Sequence, residues 1–188
     1  MAHTAPLRDN DRLNLDRAVV LLVDDNPQAL DILGHILSGF GVRQIYRCSG
    51  GQQAVDKMKS VHFDLVITDA NMPGMSGWDL VRWIRRQKDE ATRCLPVIVC
   101  TAYTRMSQVM EARDCGANFV IAKPLTPRII LERIFWVAAG EREFVECESY
   151  VGPDRRWRHT GPPDGMAGRR IDDRAPAPVV ATGSEAAA

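Results

Sequence analysis

Net charge, long apolar runs and paired cysteines are all missing from this 188-residue chain. Its 24 Lys and Arg residues balance its 24 Asp and Glu residues, so overall charge favours neither nucleic acid nor an anionic membrane as a partner. The apolar runs, such as residues 18–23, are too short to cross a bilayer. Residues 1–16 lack the apolar core of a signal peptide. These absences predict a cytoplasmic protein without a membrane-inserted segment.

The five cysteines are odd in number, and no two of them form a C-x-x-C pair: Cys48, Cys94, Cys100, Cys115 and Cys147. Such spacing argues against both a disulfide framework and a zinc site. Most of these cysteines lie in apolar stretches, where a free cysteine behaves as a small apolar side chain. We therefore expect most of them to fill space in the core.

Short apolar strands alternate with amphipathic helices along the first three quarters of the chain. The predicted strands span residues 18–23, 42–47, 64–68, 96–100 and 119–122. The predicted helices span residues 29–40, 52–59, 78–87, 106–115 and 128–137. This alternation predicts an α/β fold whose parallel sheet is covered by helices on both faces. Ligands of such sheets bind at the carboxyl ends of the strands.

The composition changes near residue 140, which divides the chain into segments. We predict a flexible leader at 1–16, a folded domain at 17–140, an arginine-rich extension at 141–174 and a disordered tail at 175–188. The extension has little periodicity and is expected to be irregular. No second domain of normal size fits after the sheet, and no helix-turn-helix follows it, which argues against a DNA-binding transcription factor.

Polar residues end or follow four of the predicted strands, all at one edge of the sheet: Asp24, Asp25, Asp69, Thr101 and Lys123. Carboxylates gathered in one place repel one another unless a cation joins them. Oxygen ligands of this kind suit Mg²⁺, and Lys123 with the Thr101 hydroxyl would hold a phosphoryl group from the other side. Taken alone, Asp24 and Asp25 fit equally well as loop residues that cap a helix; the five positions together favour a metal-assisted phosphoryl site.

A flavin or dinucleotide site is the main alternative for a sheet of this kind. Those sites cradle phosphates with glycine-rich or hydroxyl-rich turns and backbone amides. The turn after the first predicted strand reads DDNPQ, has no glycine and carries charge that repels a phosphate without a metal. The sequence therefore argues against this alternative.

Five motifs appear in order across residues 18–138: VDDN at 23–26, ITDANMPGMSG at 67–77, TAY at 101–103, GAN at 116–118 and AKPL at 122–125. In content and spacing they resemble the receiver domain of bacterial response regulators, the CheY-like fold. The resemblance implies a five-stranded parallel, doubly wound (flavodoxin/CheY-like) sheet of order 2-1-3-4-5 with five helices. It also implies a phosphoprotein rather than an enzyme, with only slow autodephosphorylation.

The same resemblance implies a role for each polar residue at the sheet edge. Asp69 would be the phospho-acceptor, served by a sensor histidine kinase or a phosphotransfer protein. Asp25 would bind Mg²⁺ directly and Asp24 largely through water, with the backbone carbonyl of Asn71 as a further ligand.

On the opposite side of the acceptor, Thr101 and Lys123 would contact the phosphoryl group, and the peptide bond between Lys123 and Pro124 would be cis. One departure concerns the output: the family usually has Tyr or Phe three residues before the lysine, as a rotamer switch, and Val120 stands there. We therefore expect weak coupling to the usual output face, or an output elsewhere.

The extension combines arginines with aromatic and acidic residues, a mixture suited to a guanine nucleotide. Arginine grips the guanine edge or stacks on a base, an aromatic ring stacks, and a carboxylate accepts from guanine N–H groups. The candidate residues are Tyr150, Asp154, Arg155, Arg156, Trp157, Arg158, Arg169, Arg170 and Asp173. Two R-x-x-D patterns, at 169–172 and 170–173, add to this set.

As a whole, the chain resembles the class of CheY-like cyclic di-GMP effectors, which are receivers with an arginine-rich C-terminal extension. That resemblance implies cyclic di-GMP as a ligand, docking to the flagellar motor switch, and recruitment to the flagellated pole. Two alternatives remain: a plain phosphorelay receiver with a passive tail, and a tail that binds nucleic acid. Neutral net charge and interspersed aspartates disfavour the latter.

Overall fold

The structure, a computed structural model, describes residues 15–102, 114–139, 144–147 and 150–154. All of these residues belong to one compact unit, Met1–Arg155. The predicted flexible leader lies outside the described residues except for its last two positions. The predicted disordered tail and most of the predicted extension also lie outside them.

The described residues contain seven strands and five helices, joined by turns and loops. The strands are β1 (Val19–Val23), β2 (Gln44–Cys48), β3 (Leu65–Asp69), β4 (Val97–Thr101), β5 (Phe119–Ala122), β6 (Phe144–Cys147) and β7 (Tyr150–Pro153). The helices are α1 (Pro27–Gly39), α2 (Gly51–Met58), α3 (Gly77–Arg85), the short α4 (Glu90–Arg93) and α5 (Pro127–Ala138).

The main sheet has the order β2-β1-β3-β4-β5, and every pair of neighbouring strands in it is parallel. This confirms the predicted doubly wound, CheY-like sheet. In its register Val23 lies opposite Thr68, and Thr101 lies opposite Ala122. The candidate site residues end or closely follow these strands, so the carboxyl ends of the strands align them along one edge of the sheet.

Apolar side chains on the two faces of the sheet form two separate core layers. In β1, Leu21 and Val23 belong to one layer, while Val20 and Leu22 belong to the other. All five residues of β3 and of β4 are buried, as expected for central strands that are covered on both sides. The near-continuous apolar runs of the sequence thus reflect burial on both faces.

The predicted strands, and the predicted helices that fall within the described residues, are confirmed apart from shifts of one or two residues at their ends. The helix predicted at 106–115 lies outside the described residues except for its last two positions. Helix α4 was not predicted, because four residues are too few to display an apolar stripe. Its start is set by Asp89, whose carboxylate accepts from the Thr92 backbone N–H at 2.9 Å.

An antiparallel hairpin, β6–β7, occupies the beginning of the predicted irregular extension. Phe144 lies opposite Pro153, and Cys147 lies opposite Tyr150. Strands of four residues are too short to show convincing alternation, so the sequence pattern did not reveal them. The regular structure therefore extends beyond residue 140, where we had placed its end.

None of the five cysteines, all of which lie within the described residues, forms a disulfide, and Cys48, Cys100 and Cys115 are buried. This confirms that most cysteines act as core residues. Cys147, on β6, is exposed. No helix in the part of the chain that the structure describes has both the length and the apolar character that a membrane crossing requires.

Candidate functional site

Asp24 lies directly after β1 and is only 2% exposed. One of its carboxylate oxygens accepts from the backbone N–H of Asn26 at 2.9 Å, which closes a tight turn. Asn26 in turn caps α1 by accepting from the Gln28 N–H at 2.9 Å, and Pro27 begins the helix. The local sequence therefore forms a strand–turn–helix unit that holds the Asp24 carboxylate at the edge of the sheet.

Asp69 is the last residue of β3 and is 8% exposed. Its carboxylate accepts from the backbone N–H of Asn71 at 2.7 Å. The next residue, Ala70, donates its N–H to the Cys100 carbonyl oxygen at 2.7 Å, so the β3–β4 pairing continues past the acidic residue. These bonds restrict the Asp69 side chain to one orientation at the sheet edge.

Lys123 joins the two buried aspartates. Its ammonium nitrogen lies 2.6 Å from an Asp69 carboxylate oxygen and 3.0 Å from an Asp24 carboxylate oxygen. Burial lowers the pKa of Lys123, but the hydrogen bonds and negative charges of Asp69 and Asp24 outweigh burial and raise it overall. The lysine is thus held in its charged form between two carboxylates from distant parts of the chain.

The other predicted residues lie at the same edge but differ in exposure. Asp25 and Asn71 are exposed, whereas Thr101, the last residue of β4, is 5% exposed. The Thr101 carbonyl oxygen accepts from the Lys123 backbone N–H at 2.7 Å, which brings the ends of β4 and β5 together. The Lys123–Pro124 peptide bond is cis, as the resemblance implied.

The donor set fits Mg²⁺, although not as three converging carboxylates. Within residues 15–102, 114–139, 144–147 and 150–154, no group of three His, Cys, Asp or Glu side chains has the arrangement of a metal site. Lys123 instead occupies the space between Asp24 and Asp69. Three carboxylates and one ammonium leave two negative charges, and Mg²⁺ usually binds through one or two carboxylates plus water. The expectation that Asp24, Asp25, Asp69 and the Asn71 carbonyl hold Mg²⁺ stays a prediction.

The turn after Asp69 depends on two glycines. Gly74 has φ +78°, a conformation that favours glycine. A Cβ at Gly77 would meet the Asp69 backbone, with its carbonyl carbon at 2.9 Å and the Ala70 Cα at 3.1 Å. The start of α3 therefore packs directly against the acceptor residue. Ser76 caps that helix by accepting from the Asp79 N–H at 3.2 Å.

At the expected position of the aromatic switch, Val120 is 37% exposed on β5. The adjacent Phe119 packs against one of the core layers, and the Arg133 guanidinium carbon lies 5.4 Å from its ring centre. The aromatic ring is therefore one residue away from the usual position and is covered by a cation from α5. The prediction of weak coupling through this face remains open.

Of the predicted nucleotide-binding residues, the structure describes Tyr150 and Asp154. Tyr150 donates its hydroxyl proton to the Pro153 carbonyl oxygen at 2.7 Å, and Asp154 is 7% exposed. The others, Arg155, Arg156, Trp157, Arg158, Arg169, Arg170 and Asp173, lie outside the described residues. The nucleotide site therefore stays a prediction.

Sequence reasoning missed Arg85, which is only 3% exposed at the end of α3. The signal was present, because Arg85 lies four residues after Val81 and one after Ile84, on the apolar stripe of the helix. A charged residue on such a stripe indicates a buried group with specific partners. Its contacts lie at the opposite edge of the sheet from Asp69.

Substitution of Lys123 by methionine should flatten the alkaline fall in stability. Because the folded-state pKa of Lys123 lies above its ordinary value of 10.5, its contribution to the unfolding free energy is complete below that value. The contribution is lost as pH rises through the folded-state pKa. Urea unfolding between about pH 9 and 11.5 measures the slope. Lys59→Met, which removes an exposed ammonium, is the control; equal slopes for Lys123→Met and wild type would contradict the contact.

Known proteins with similar sequences and structures share this arrangement of elements. The chain is 36% identical over 115 residues to the chemotaxis protein CheY of Pseudomonas aeruginosa, covering 61% of this chain and 91% of that protein. The solved structure of Vibrio cholerae chemotaxis protein CheY4 superposes with a TM-score of 0.59 and 29% identity, covering 64% of this chain and 98% of that one.

A third similar structure is the receiver domain of a Pseudomonas aeruginosa sensor histidine kinase, which has a magnesium ion coordinated in its active-site cleft. Its TM-score is 0.58 at 29% identity, covering 66% of this chain and 98% of that one. The family profile of the response regulator receiver domain matches residues 20–135, from the second residue of β1 through β5. This range contains every residue of what we call the acidic edge: Asp24, Asp25, Asp69, Asn71, Thr101 and Lys123. By fold, by the geometry of its acidic edge and by this match, the chain belongs to the response regulator receiver domain family.

Proposed function

We propose that the chain is a response regulator that accepts a phosphoryl group on Asp69 from a sensor histidine kinase or a phosphotransfer protein. The observation that carries the proposal is the Lys123 ammonium group, held at once by Asp69 and by Asp24 at the carboxyl edge of a parallel sheet. A buried carboxylate beside a fixed cation is a nucleophile whose phosphorylated form already has a charge partner.

The reaction needs one bond to form and one to break. A carboxylate oxygen of Asp69 attacks phosphorus in line, while the bond between phosphorus and the donor imidazole nitrogen breaks and its electron pair stays with the donor. The Asn71 N–H orients the attacking carboxylate, and Lys123 then pairs with phosphoryl oxygens. Thr101, at the end of β4, supplies the hydroxyl group that contacts the phosphoryl group on Asp69.

A divalent cation completes the proposed site. Mg²⁺, when bound, neutralises charge on the phosphoryl oxygens. Asp24, Asp25, Asp69 and the Asn71 carbonyl would hold it, since these oxygens fit its ligand preference and the site has two negative charges in excess. The magnesium ion in the similar receiver of a sensor kinase supports this assignment.

Labelling of the full chain by a radioactive small-molecule phosphodonor tests the proposal. We expect incorporation that requires Mg²⁺ and is abolished when EDTA removes it. Absence of label at millimolar Mg²⁺, in a chain that is folded by circular dichroism, would overturn the assignment of a phosphorylation site.

For the extension, we propose cyclic di-GMP as the ligand and the flagellar motor switch as the docking partner. The support is the arginine, tryptophan and aspartate content of residues 150–173, together with similarity to chemotaxis proteins. Val120 at the switch position is consistent with an output that does not use an aromatic rotamer. The alternative is a phosphorelay receiver whose tail is passive.

Substitution of Arg156 by alanine should weaken cyclic di-GMP binding by about 1–3 kcal/mol, because a bidentate contact to guanine is lost. Calorimetry on the full chain measures the affinity. If the ligand also changes the tryptophan fluorescence of the wild-type chain, loss of that change in Trp157→Phe would assign it to this residue. Arg86→Ala, which removes an exposed arginine outside the extension, should leave the affinity unchanged. No heat with the wild-type chain would exclude the ligand.

Two variants distinguish the hypothesis that cyclic di-GMP controls docking from the alternative of a phosphorelay receiver whose tail is passive. Removal of residues 155–188 leaves hairpin β6–β7 whole, and Asp69→Asn leaves the extension whole. Loss of affinity for the motor switch only on truncation supports the nucleotide-gated effector. Loss only with Asp69→Asn supports the plain phosphorelay receiver.

A further inference from the structure

Arg85 is a buried side chain that donates hydrogen bonds to four acceptors, at the edge of the sheet opposite to Asp69. Its guanidinium group donates to the carbonyl oxygens of Gly116 at 2.9 Å and of Arg93 and Leu95 at 2.7 Å each. It also donates to the Asn118 side-chain oxygen at 3.0 Å. Burial lowers the pKa of Arg85 to about 10, so the group keeps its charge at neutral pH. These acceptors lie just before β4 and β5, at their amino ends.

The same guanidinium group contacts hairpin β6–β7. Its central carbon lies 5.3 Å from the ring centre of Phe144, the first residue of the hairpin, within the range of a cation–π contact. Most arginines in folded proteins keep their charge in water, and a desolvated cation over an aromatic face gains more from such a contact than an exposed one. One side chain therefore holds both the loops of the receiver and the start of the hairpin.

Two glycines let the hairpin backbone approach the receiver closely. A Cβ at Gly152 would lie 2.8 Å from the Cα of Gly116 and 2.7 Å from the Tyr150 hydroxyl oxygen. A Cβ at Gly116 would meet the carbonyl oxygen of Val151. Backbone packs on backbone here, which leaves no room for a side chain at either position.

An ion pair completes the attachment, and a hydrogen bond stabilises the hairpin itself. Arg93, which ends α4, lies 3.6 Å from the Glu146 carboxylate on β6. Within the hairpin, the Tyr150 hydroxyl bonds to the Pro153 carbonyl oxygen at 2.7 Å, next to the buried Asp154. An isolated two-stranded hairpin is marginally stable in water, so the order of this one depends on what it packs against.

We infer that Arg85 is a positioning residue that fixes hairpin β6–β7 to the receiver and thereby sets where the rest of the arginine-rich extension begins. That point, Asp154, directly follows β7 of the hairpin, which is held at the amino-terminal edge of β4 and β5, whereas Asp69 lies at the carboxyl edge. The phosphorylation site and the start of the segment proposed to bind ligand then lie at opposite edges of one sheet. The consequence for ligand binding rests on the proposed function of the extension.

Hydrogen exchange on the full chain, followed by mass spectrometry, tests the attachment. Phe144→Ala removes the ring under Arg85 and Gly152→Ala forces the hairpin away from Gly116, while neither alters the core of the receiver. Each should raise exchange across residues 144–154 by about tenfold or more, with unchanged exchange in β1 and β3. Arg85→Lys keeps the charge but loses the planar fork, so it should raise exchange in the hairpin and in residues 116–118 together.

Gly39→Ala is the matched control, since a Cβ at Gly39 would meet nothing within 4 Å. It should leave exchange in the hairpin at the wild-type level. Unchanged hairpin exchange in Phe144→Ala would overturn the inference that Arg85 anchors this element, even if exchange rises in Gly152→Ala.

Cyclic di-GMP affinity of the same variants tests the consequence for the extension. Weaker binding by Phe144→Ala and Gly152→Ala than by Gly39→Ala is the expected result, and equal affinity of all three would show that the anchor does not position the ligand site. If the wild-type chain binds no nucleotide, the proposed ligand is wrong, and the hydrogen-exchange comparison alone decides whether Arg85 anchors the hairpin.

Discussion

Replacement of Asp69 by asparagine should abolish incorporation of phosphate from a radioactive phosphodonor in the presence of Mg²⁺. The amide oxygen retains the hydrogen bond from the Asn71 N–H, so the turn is preserved. The amide is not a nucleophile toward phosphorus, and it also removes one of the two negative partners of Lys123. The expected change is therefore a complete loss of label in a folded chain.

Asp56→Asn provides the control for this experiment. Asp56 lies on α2 and pairs with Lys59 at 2.7 Å on the surface of the protein. Its removal should leave labelling at the wild-type level. Persistent label in Asp69→Asn would mean that another residue accepts the phosphoryl group, and the site assignment would have to be abandoned.

Replacement of Gly77 by alanine should disturb both stability and phosphorylation, although the change adds a single methyl group. That methyl would overlap the backbone carbonyl group of Asp69 and crowd the Ala70 Cα at 3.1 Å. Rigid backbone, rather than a movable side chain, stands in the way, so either α3 or the end of β3 has to shift. Overpacking of this kind costs about 1–3 kcal/mol of unfolding free energy.

The displacement acts on the acceptor itself, because the crowded atoms belong to Asp69 and its neighbour. We therefore expect the labelling rate to fall at least tenfold even under conditions in which the variant is fully folded. Urea unfolding and the labelling time course measure the two effects separately. Gly39→Ala, in open space at the end of α1, should be neutral or slightly stabilising because alanine favours helix. Equal behaviour of the two variants would show that Gly77 does not support the site.

Sequence patterns were sufficient to place the candidate site residues on the fold. Short apolar runs separated by helical periodicity specify a parallel sheet, and the residues that end such strands must lie at one edge of it. Asn26, Ser76 and Thr126 cap their helices through hydrogen bonds to residues two or three positions away, so the helix starts are also local properties. Neither conclusion needs knowledge of how the layers pack.

The sequence pattern did not determine which side chains at that edge are buried or which of them form ion pairs. Asp24 and Asp25 are adjacent and chemically identical, yet Asp24 is buried against Lys123 and Asp25 is exposed. Asp24 and Lys123 are 99 positions apart in the sequence. The long lysine side chain could make many different contacts from the same backbone position. Only the packed arrangement of β1, β3 and β5 selects this one.

The sequence by itself therefore determined the element order, the sheet class and the set of polar residues at the carboxyl edge, because these follow from short-range periodicity and strand polarity. The tertiary structure alone decided that Lys123 joins two aspartates, that Arg85 is buried, and that β6 and β7 form a hairpin on the receiver. Each of these depends on contacts between distant segments, whose free energy comes from mutual burial and is absent from any local stretch of the chain.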